Sequence, residues 1–145
     1  VMAFTGNATC NSFKVGLMDG TFNFQTDTFK IALYTNAATL NADTAAYTSI
    51  GESSGGNYVP GGLALQVTQV PTIDSQTGPN AVSYISFANA LWYGSIVARG
   101  ALIYKVGGGN PAVCVLDFGS DKTSNQSFVV QFPAATNTSA IIRLG

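Results

Sequence analysis

Hydrophobic and polar positions alternate with a period of two along most of this chain. In TFKIALYT, residues 28–35, Phe29, Ile31 and Leu33 fall on one side and Lys30, Ala32 and Tyr34 on the other. That spacing predicts a β-strand. LALQVTQV, 63–70, repeats it through Leu63, Leu65 and Val67, and Pro71 is expected to close that strand. AVSYISFANALWY, 81–93, is apolar on both faces, as in a strand covered on each side. SIVARGALIYKV places Ile96, Ala98, Leu102, Tyr104 and Val106 together, with Arg99 and Lys105 opposite. AVCVLDF directs Cys114, Leu116 and Phe118 inward and Asp117 outward; SFVVQF alternates through Phe128, Val130 and Phe132 up to Pro133; AIIRL is a closing strand with the character of a sheet edge.

Turn-forming groups separate these runs: SQTGPN, GGGNP and GSDKTSN. CNSFKVGLMDG, 10–20, pairs Phe13 with Leu17 and Val15 with Met18, the spacing of a short helix that Gly20 could end, and it is short enough to be read as a strand instead. The pattern predicts an all-β fold: a jelly-roll-like two-sheet sandwich of about seven or eight short antiparallel strands in one domain, residues 1–145. Between the first strand and LALQVTQV lies a loop at about 36–62 with no periodic face, and loops of that length in compact domains usually have a task. It contains no histidine, cysteine, lysine or arginine.

Composition changes the picture in one respect. Charged residues make up 9% of the 145 positions, against roughly 25% in an ordinary soluble domain. Surfaces of small neutral groups repel one another weakly, and charge is depleted where protein packs on protein. The six basic residues, Lys14, Lys30, Arg99, Lys105, Lys122 and Arg143, are scattered, which argues against nucleic acid. No apolar run approaches the length of a membrane span. The opening VMAFTGNATCNSF has neither the basic nor the apolar region of a signal peptide, so a reducing compartment is expected, with Cys10 and Cys114 as thiols and one disulfide as the alternative.

Candidate chemistry is sparse. The chain has no histidine, which removes histidine-based triads and most zinc sites. GGNYVPGG and VGGGNP lack the Lys-Ser/Thr of a phosphate loop and read as turns needing positive φ. Asp43 and Glu52 share the long loop and could pair as glycosidase carboxylates. Asp117 and Asp121 could contribute to a calcium site, although solvated loop acids are the plainer reading. No catalytic residue, cofactor or metal is expected, and the chain is not expected to be an enzyme. Aromatic residues remain. Trp92 and Tyr93 end a hydrophobic strand, and Tyr47 and Tyr58 lie in the charge-poor loop; packing is one role for each and anchoring a protein interface is the other. With Phe4 in the N-terminal arm, these are the candidate partner contacts.

Several segments carry a resemblance: NSFKVGLMDGTFNFQTDTFKIALYTNAATLNADTAAYTSIGE, NYVPGG, ARGALIY and VLDFGSDKTS. In these, over nearly its whole length, the chain resembles the capsid cement, or decoration, proteins of short-tailed phages, of the kind carried by Bordetella phage. The resemblance implies a jelly roll on the outer surface of an icosahedral head, assembled in the bacterial cytoplasm and bound to a major capsid protein of the HK97-like fold. It implies no catalytic residues. A homodimer is the expected self-association, since two-fold contacts are the commonest. Two other functions fit the same pattern: a carbohydrate- or receptor-binding jelly roll, and a tail or neck structural protein.

Overall fold

The computed structural model describes residues 4, 6–75, 77–133, 135 and 140–144. Over these residues the chain is an all-β sandwich, as the alternation predicts, with one short α-helix and ten strands. They are β1 (Ala8–Thr9), β2 (Phe29–Tyr34), β3 (Leu63–Ala64), β4 (Val67–Ile73), β5 (Ser83–Phe87), β6 (Ala90–Tyr93), β7 (Val97–Lys105), β8 (Ala112–Thr123), β9 (Ser127–Val130) and β10 (Ile142–Leu144). A five-stranded sheet runs β1-β8-β7-β2-β3, a three-stranded sheet β10-β5-β4, and a two-stranded ribbon pairs β6 with β9. All these pairings are antiparallel. This arrangement is compatible with a jelly roll.

The extra strands arise where one apolar run serves two sheets. LALQVTQV divides: Leu63 and Ala64 pair with β2, whereas Val67 onward pairs with β5. Leu63 is therefore exposed and not turned inward. Pro71 sits inside β4 without ending it, because β4 is an edge strand with two register shifts, where a missing N–H costs no ladder bond. AVSYISFANALWY divides in the same way into β5 and β6. GSDKTSN is mostly strand: β8 runs on to Thr123 after a register shift opposite Ala98–Gly100. Val106, expected on the inner face of β7, is exposed beyond the strand's end.

The helical reading of the N-terminal segment holds. α1 spans Asn11–Asp19, buries Phe13 and Gly16, and ends at Gly20, whose φ of 80° is the left-handed conformation of a helix stop. Gly16 is fixed by packing: a Cβ there would lie 2.2 Å from the Phe22 ring. Phe22 joins Phe13, Phe24, Phe29 and Phe87 in a cluster that plugs the sandwich between α1 and the sheets; Phe24 stacks on Phe29 with centroids 4.7 Å apart, and Phe13 meets Phe22 edge-on at 5.0 Å. Such pairs contribute about 0.5–1.5 kcal/mol each beyond their area.

The N-terminal arm closes over β7. Phe4 forms a parallel bridge with Leu40 and lies on Gly100, where a Cβ would meet the Phe4 ring at 2.4 Å and the Leu116 carbonyl oxygen at 2.5 Å. The Gly6 amide donates to Asp117 Oδ2 (3.0 Å), and the Asp117 amide donates to Asn7 Oδ1 (2.7 Å). Gly100→Ala is expected to destabilise the chain by about 1–3 kcal/mol, since one of the two obstructions is backbone. Urea unfolding measures it, and an unchanged midpoint would contradict this account of the arm.

Candidate interaction surface

The long loop is ordered, and its organising group is Glu52, the only glutamate in the chain. Tyr47 donates its hydroxyl to Glu52 Oε1 (2.6 Å). Tyr58 donates to Oε2 (2.5 Å), and the Gly61 amide donates to the same oxygen (2.8 Å). The Tyr58 hydroxyl in turn accepts the amide of Leu33 on β2 (3.0 Å). Tyr104 on β7 reaches Gly61 O (2.5 Å), and Tyr34 on β2 reaches Thr48 O (2.7 Å). The Tyr47 and Tyr104 rings lie 4.9 Å apart. Four of the six tyrosines thus fasten the loop to the five-stranded sheet around one carboxylate.

Burial raises the pKa of Tyr34, Tyr47, Tyr58 and Tyr104 above the ordinary phenol value. The Glu52 carboxylate adds to this in every case, through its hydrogen bonds to Tyr47 and Tyr58 and through its charge at Tyr34 and Tyr104. All four therefore favour the neutral phenol in the folded state.

The loop's far side lies along the β6–β7 connection. The Asn57 amide donates to Tyr93 O (2.8 Å), the Tyr93 amide donates to Asn57 Oδ1 (2.8 Å), and the Ser53 hydroxyl donates to Val97 O (2.8 Å). Such close approach requires glycine: a Cβ on Gly55 or Gly56 would lie 2.4 Å from Ser95 O or 2.2 Å from Tyr93 O. The positive-φ reading of GGNYVPGG holds at Gly55, Gly56, Gly61 and Gly62.

The five candidate contact residues separate sharply. Phe4, Tyr58 and Trp92 are 1%, 8% and 2% exposed, so their side chains cannot also lie on a neighbour in this conformation. Trp92 packs against Tyr58 (5.9 Å) and Phe128 (6.4 Å), which is why the end of a hydrophobic strand is spent inward. Tyr47 is half-buried and engaged by Glu52. Tyr93 alone of the five is open, at 58%. Residues 1–3 of the N-terminal arm lie outside the described residues. Other apolar side chains that face outward were not singled out from sequence: Ile50 and Val59 on the loop, at 76% and 64%, with Leu91 on β6 and Val129 on β9. Leu91 and Val129 are cross-strand partners, so the outer face of the β6–β9 ribbon is an apolar strip next to the loop.

The sheet edges differ in protection. β1 and β3 are two residues long, β10 carries Arg143, and β4 has Pro71 and its register shifts. These are familiar means of blunting an edge. β6 is capped by Asn57 at Tyr93, its last residue. β9, Ser127–Val130, has no proline, charge or register shift. Gly94 N–H bonds Gln126 O across the ribbon, which sets the alternation so that the N–H and C=O groups of Ser127 and Val129 point away from β6. AIIRL, by contrast, is paired internally with β5 through Ile142, Arg143 and Leu144.

The acids considered for chemistry are occupied locally. Asp43 accepts from Asn11 Nδ2 (2.9 Å), away from the tyrosines that hold Glu52. Asp117 accepts from the Gly119 amide and Arg99 Nε, and these contacts, the Gly119 amide foremost, hold its pKa below the ordinary carboxylate value; Asp121 accepts from Asn36 Nδ2 (3.2 Å). Among the described residues no three His, Cys, Asp or Glu side chains gather as a metal site. Cys10 and Cys114 are both free thiols and buried, and burial pushes Cys10 up to about 11 and Cys114 up to about 12. No described helix is long and apolar enough to cross a membrane.

Glu52→Ala removes the acceptor shared by Tyr47, Tyr58 and Gly61; a loss of about 2–4 kcal/mol is expected, with protease cleavage appearing first between residues 40 and 62. Denaturant unfolding and limited proteolysis check both. The raised tyrosine pKa values fix the sign of a pH effect: unfolded tyrosines ionise near pH 10 while the folded ones stay protonated. Stability is therefore expected to be full below about pH 10 and to fall as pH rises above it. Melting temperature against pH, read beside tyrosinate absorbance, tests this; a flat profile through that range would contradict it.

Comparison with known proteins finds no counterpart: no family model, no curated protein and no solved structure matches this chain.

Proposed function

We propose that this chain is a non-enzymatic virion structural protein that binds the outside of an icosahedral phage head and stabilises it by bridging major capsid protein subunits. One observation carries the reading: a loop of nearly thirty residues is fastened through Glu52, while its apolar side chains Ile50 and Val59, like Tyr93 on β6, face outward. A surface ordered before contact loses little conformational entropy on binding, and one without charges loses little to desolvation. The resemblance to cement proteins supplies the partner. A protein that binds the assembled shell and not free subunits stabilises the shell by mass action. If one molecule spans two capsomers, the second contact is intramolecular and avidity rises by about 10²–10⁴.

Self-association has a route in the open edge of β9. Paired with its own copy about a two-fold axis centred on Val129, it sets Ser127 opposite Gln131, and Pro133 ends the register just beyond. Ser127, Val129 and Gln131 carry no charge to repel their copies.

The test uses substitutions on the surface, because deleting residues 41–57 would remove Glu52 and the buried Ser53 with the loop. Ile50→Asp with Tyr93→Asp is expected to lower binding to expanded heads at least tenfold while leaving thermal unfolding unchanged. Val129→Pro, which removes an outward N–H and spares the bonds to β6, is expected to abolish the dimer. Particles should carry hundreds of copies on a stained gel. A few copies per particle would favour a tail or neck role, and saturable binding to a sugar without affinity for heads would favour a receptor-binding module.

A further inference from the structure

The β6–β9 ribbon and the end of the β7–β8 pair share one register. Ala90 lies opposite Val130, and the pairing steps one for one to Tyr93 opposite Ser127. Across the gap the Gly94 amide donates to Gln126 O (2.9 Å) and the Ser124 amide to Ile96 O (2.9 Å). The same register resumes with Val97 opposite Thr123 and Ala98 opposite Lys122. Residues 90–98 and 122–130 are thus one antiparallel pair, bent near Asn125. At the bend Ser124 Oγ accepts from the Ile96 amide (3.1 Å) and donates to Gly94 O (2.7 Å).

Alternation along this pair turns the N–H and C=O groups of Tyr93 and Val97 outward on one side, and those of Thr123, Ser127 and Val129 outward on the other. The first edge is covered by the chain itself: Asn57 takes both groups of Tyr93, and Ser53 takes Val97 O. On the second edge the neighbour of β8 is β1, which reaches only Cys114 and Val115. That edge is open from Thr123 to Val129.

A cleft of about 440 Å³ runs beside it. Phe118, Phe128 and Val130 line the cleft, with the two phenylalanine rings 6.1 Å apart. Lys122 lines it as well and is exposed; among the described residues its ammonium has no ion pair or hydrogen bond, and no acid lines the cleft. A second copy paired about Val129 would satisfy the edge but not fill the cleft. Residues directly opposite share a face, so the copy would bring its own Phe128 and Val130 to that side, and both are buried in their own core. An extended segment with free side chains satisfies edge and cleft together.

We propose that this edge accepts an extended segment of another protein as an added strand, bonded to the backbone of Thr123, Ser127 and Val129, with an apolar side chain in the cleft beside Phe118 and an acidic one at Lys122. For its donor alone the inference rests on the head-binding reading, which makes it the shell subunit. The edge holds one strand at a time, so the donated segment displaces a copy paired through β9.

Nuclear magnetic resonance titration of the full chain with a capped hexapeptide, alternating threonine and valine and ending in glutamate, tests the site. Saturable binding of one peptide per chain is expected, with slowed hydrogen exchange at the Thr123 amide. Thr123 lies beyond the reach of a paired copy, whose register ends at Pro133, so its protection separates the peptide from the dimer. The amides of Phe128 and Val130, already turned to β6, should not change. Lys122→Glu, an exposed substitution, should weaken binding at least about tenfold and favour the same peptide ending in lysine. Absence of saturable binding, unchanged exchange at Thr123, equal affinity in Lys122→Glu, or a dimer that persists at saturating peptide would overturn the proposal. No phage head is used, so the result is independent of head binding; peptide binding by a chain that ignores heads would overturn only the shell subunit as donor.

Discussion

A half-buried carboxylate that accepts three hydrogen bonds at once can hold together stretches of chain that lack regular ladders, and Glu52 does this for the segment between β2 and β3. Such a segment must satisfy its polar groups without regular secondary structure. It does so through side chains: phenol hydroxyls from both the loop and the sheet converge on Glu52, on Gly61 O and on Thr48 O. The rest of the surface follows from this constraint. With the loop fastened to the sheet, Ser53 and Asn57 lie against the start of β7 and the end of β6, and Ile50 and Val59 are left exposed. Loss of the carboxylate would leave phenols and amides buried without acceptors, a larger cost than the bonds are worth when made.

Aromatic residues divide the work. Phenylalanines from α1, from the following turn and from β2 and β5 fill one end of the sandwich. Trp92, Phe128 and Phe118 continue the packing under the two-stranded ribbon, which by itself would be too small to stand alone. Tyrosines occupy the boundary between loop and sheet, where one end of the side chain is dry and the other needs a hydrogen bond. The ribbon's inner face is therefore committed to the core, and its outer face, Leu91, Tyr93 and Val129, is free for contact.

The sequence made the strands legible because their period-two faces are read directly by burial: Phe29, Ile31 and Leu33, or Phe128 and Val130, lie where alternation puts them. It was misleading where one apolar run crosses between sheets. Nothing local separates Leu65 from Val67, or Phe87 from Ala90; the division comes from which neighbour each end can reach. The loop's chemistry was missed for a related reason. Glu52 was weighed only as a possible partner of Asp43, whereas its actual partners are tyrosines that come together with it only in three dimensions. A lone acid in a charge-poor loop, close in sequence to Tyr47 and Tyr58, was the available signal. Trp92 and Phe4 show the reverse: large aromatics suited to an interface were taken up by the core, a choice that depends on Gly100 and on the ring of Tyr58 lying opposite.

The arm that crosses β7 brings the first part of the chain against the last third. Gly6 and Asn7 bond Asp117 across separations of 111 and 110 residues. A nascent chain emerging from the ribosome must therefore hold its leading segment unmatched until β8 has been synthesised. The site it will occupy beside Gly100 does not exist before then. Sealing of the sandwich is thus a late, non-local event, and until it happens the strands destined for the interior are open to the wrong neighbour, a hazard that grows when many copies are made at once.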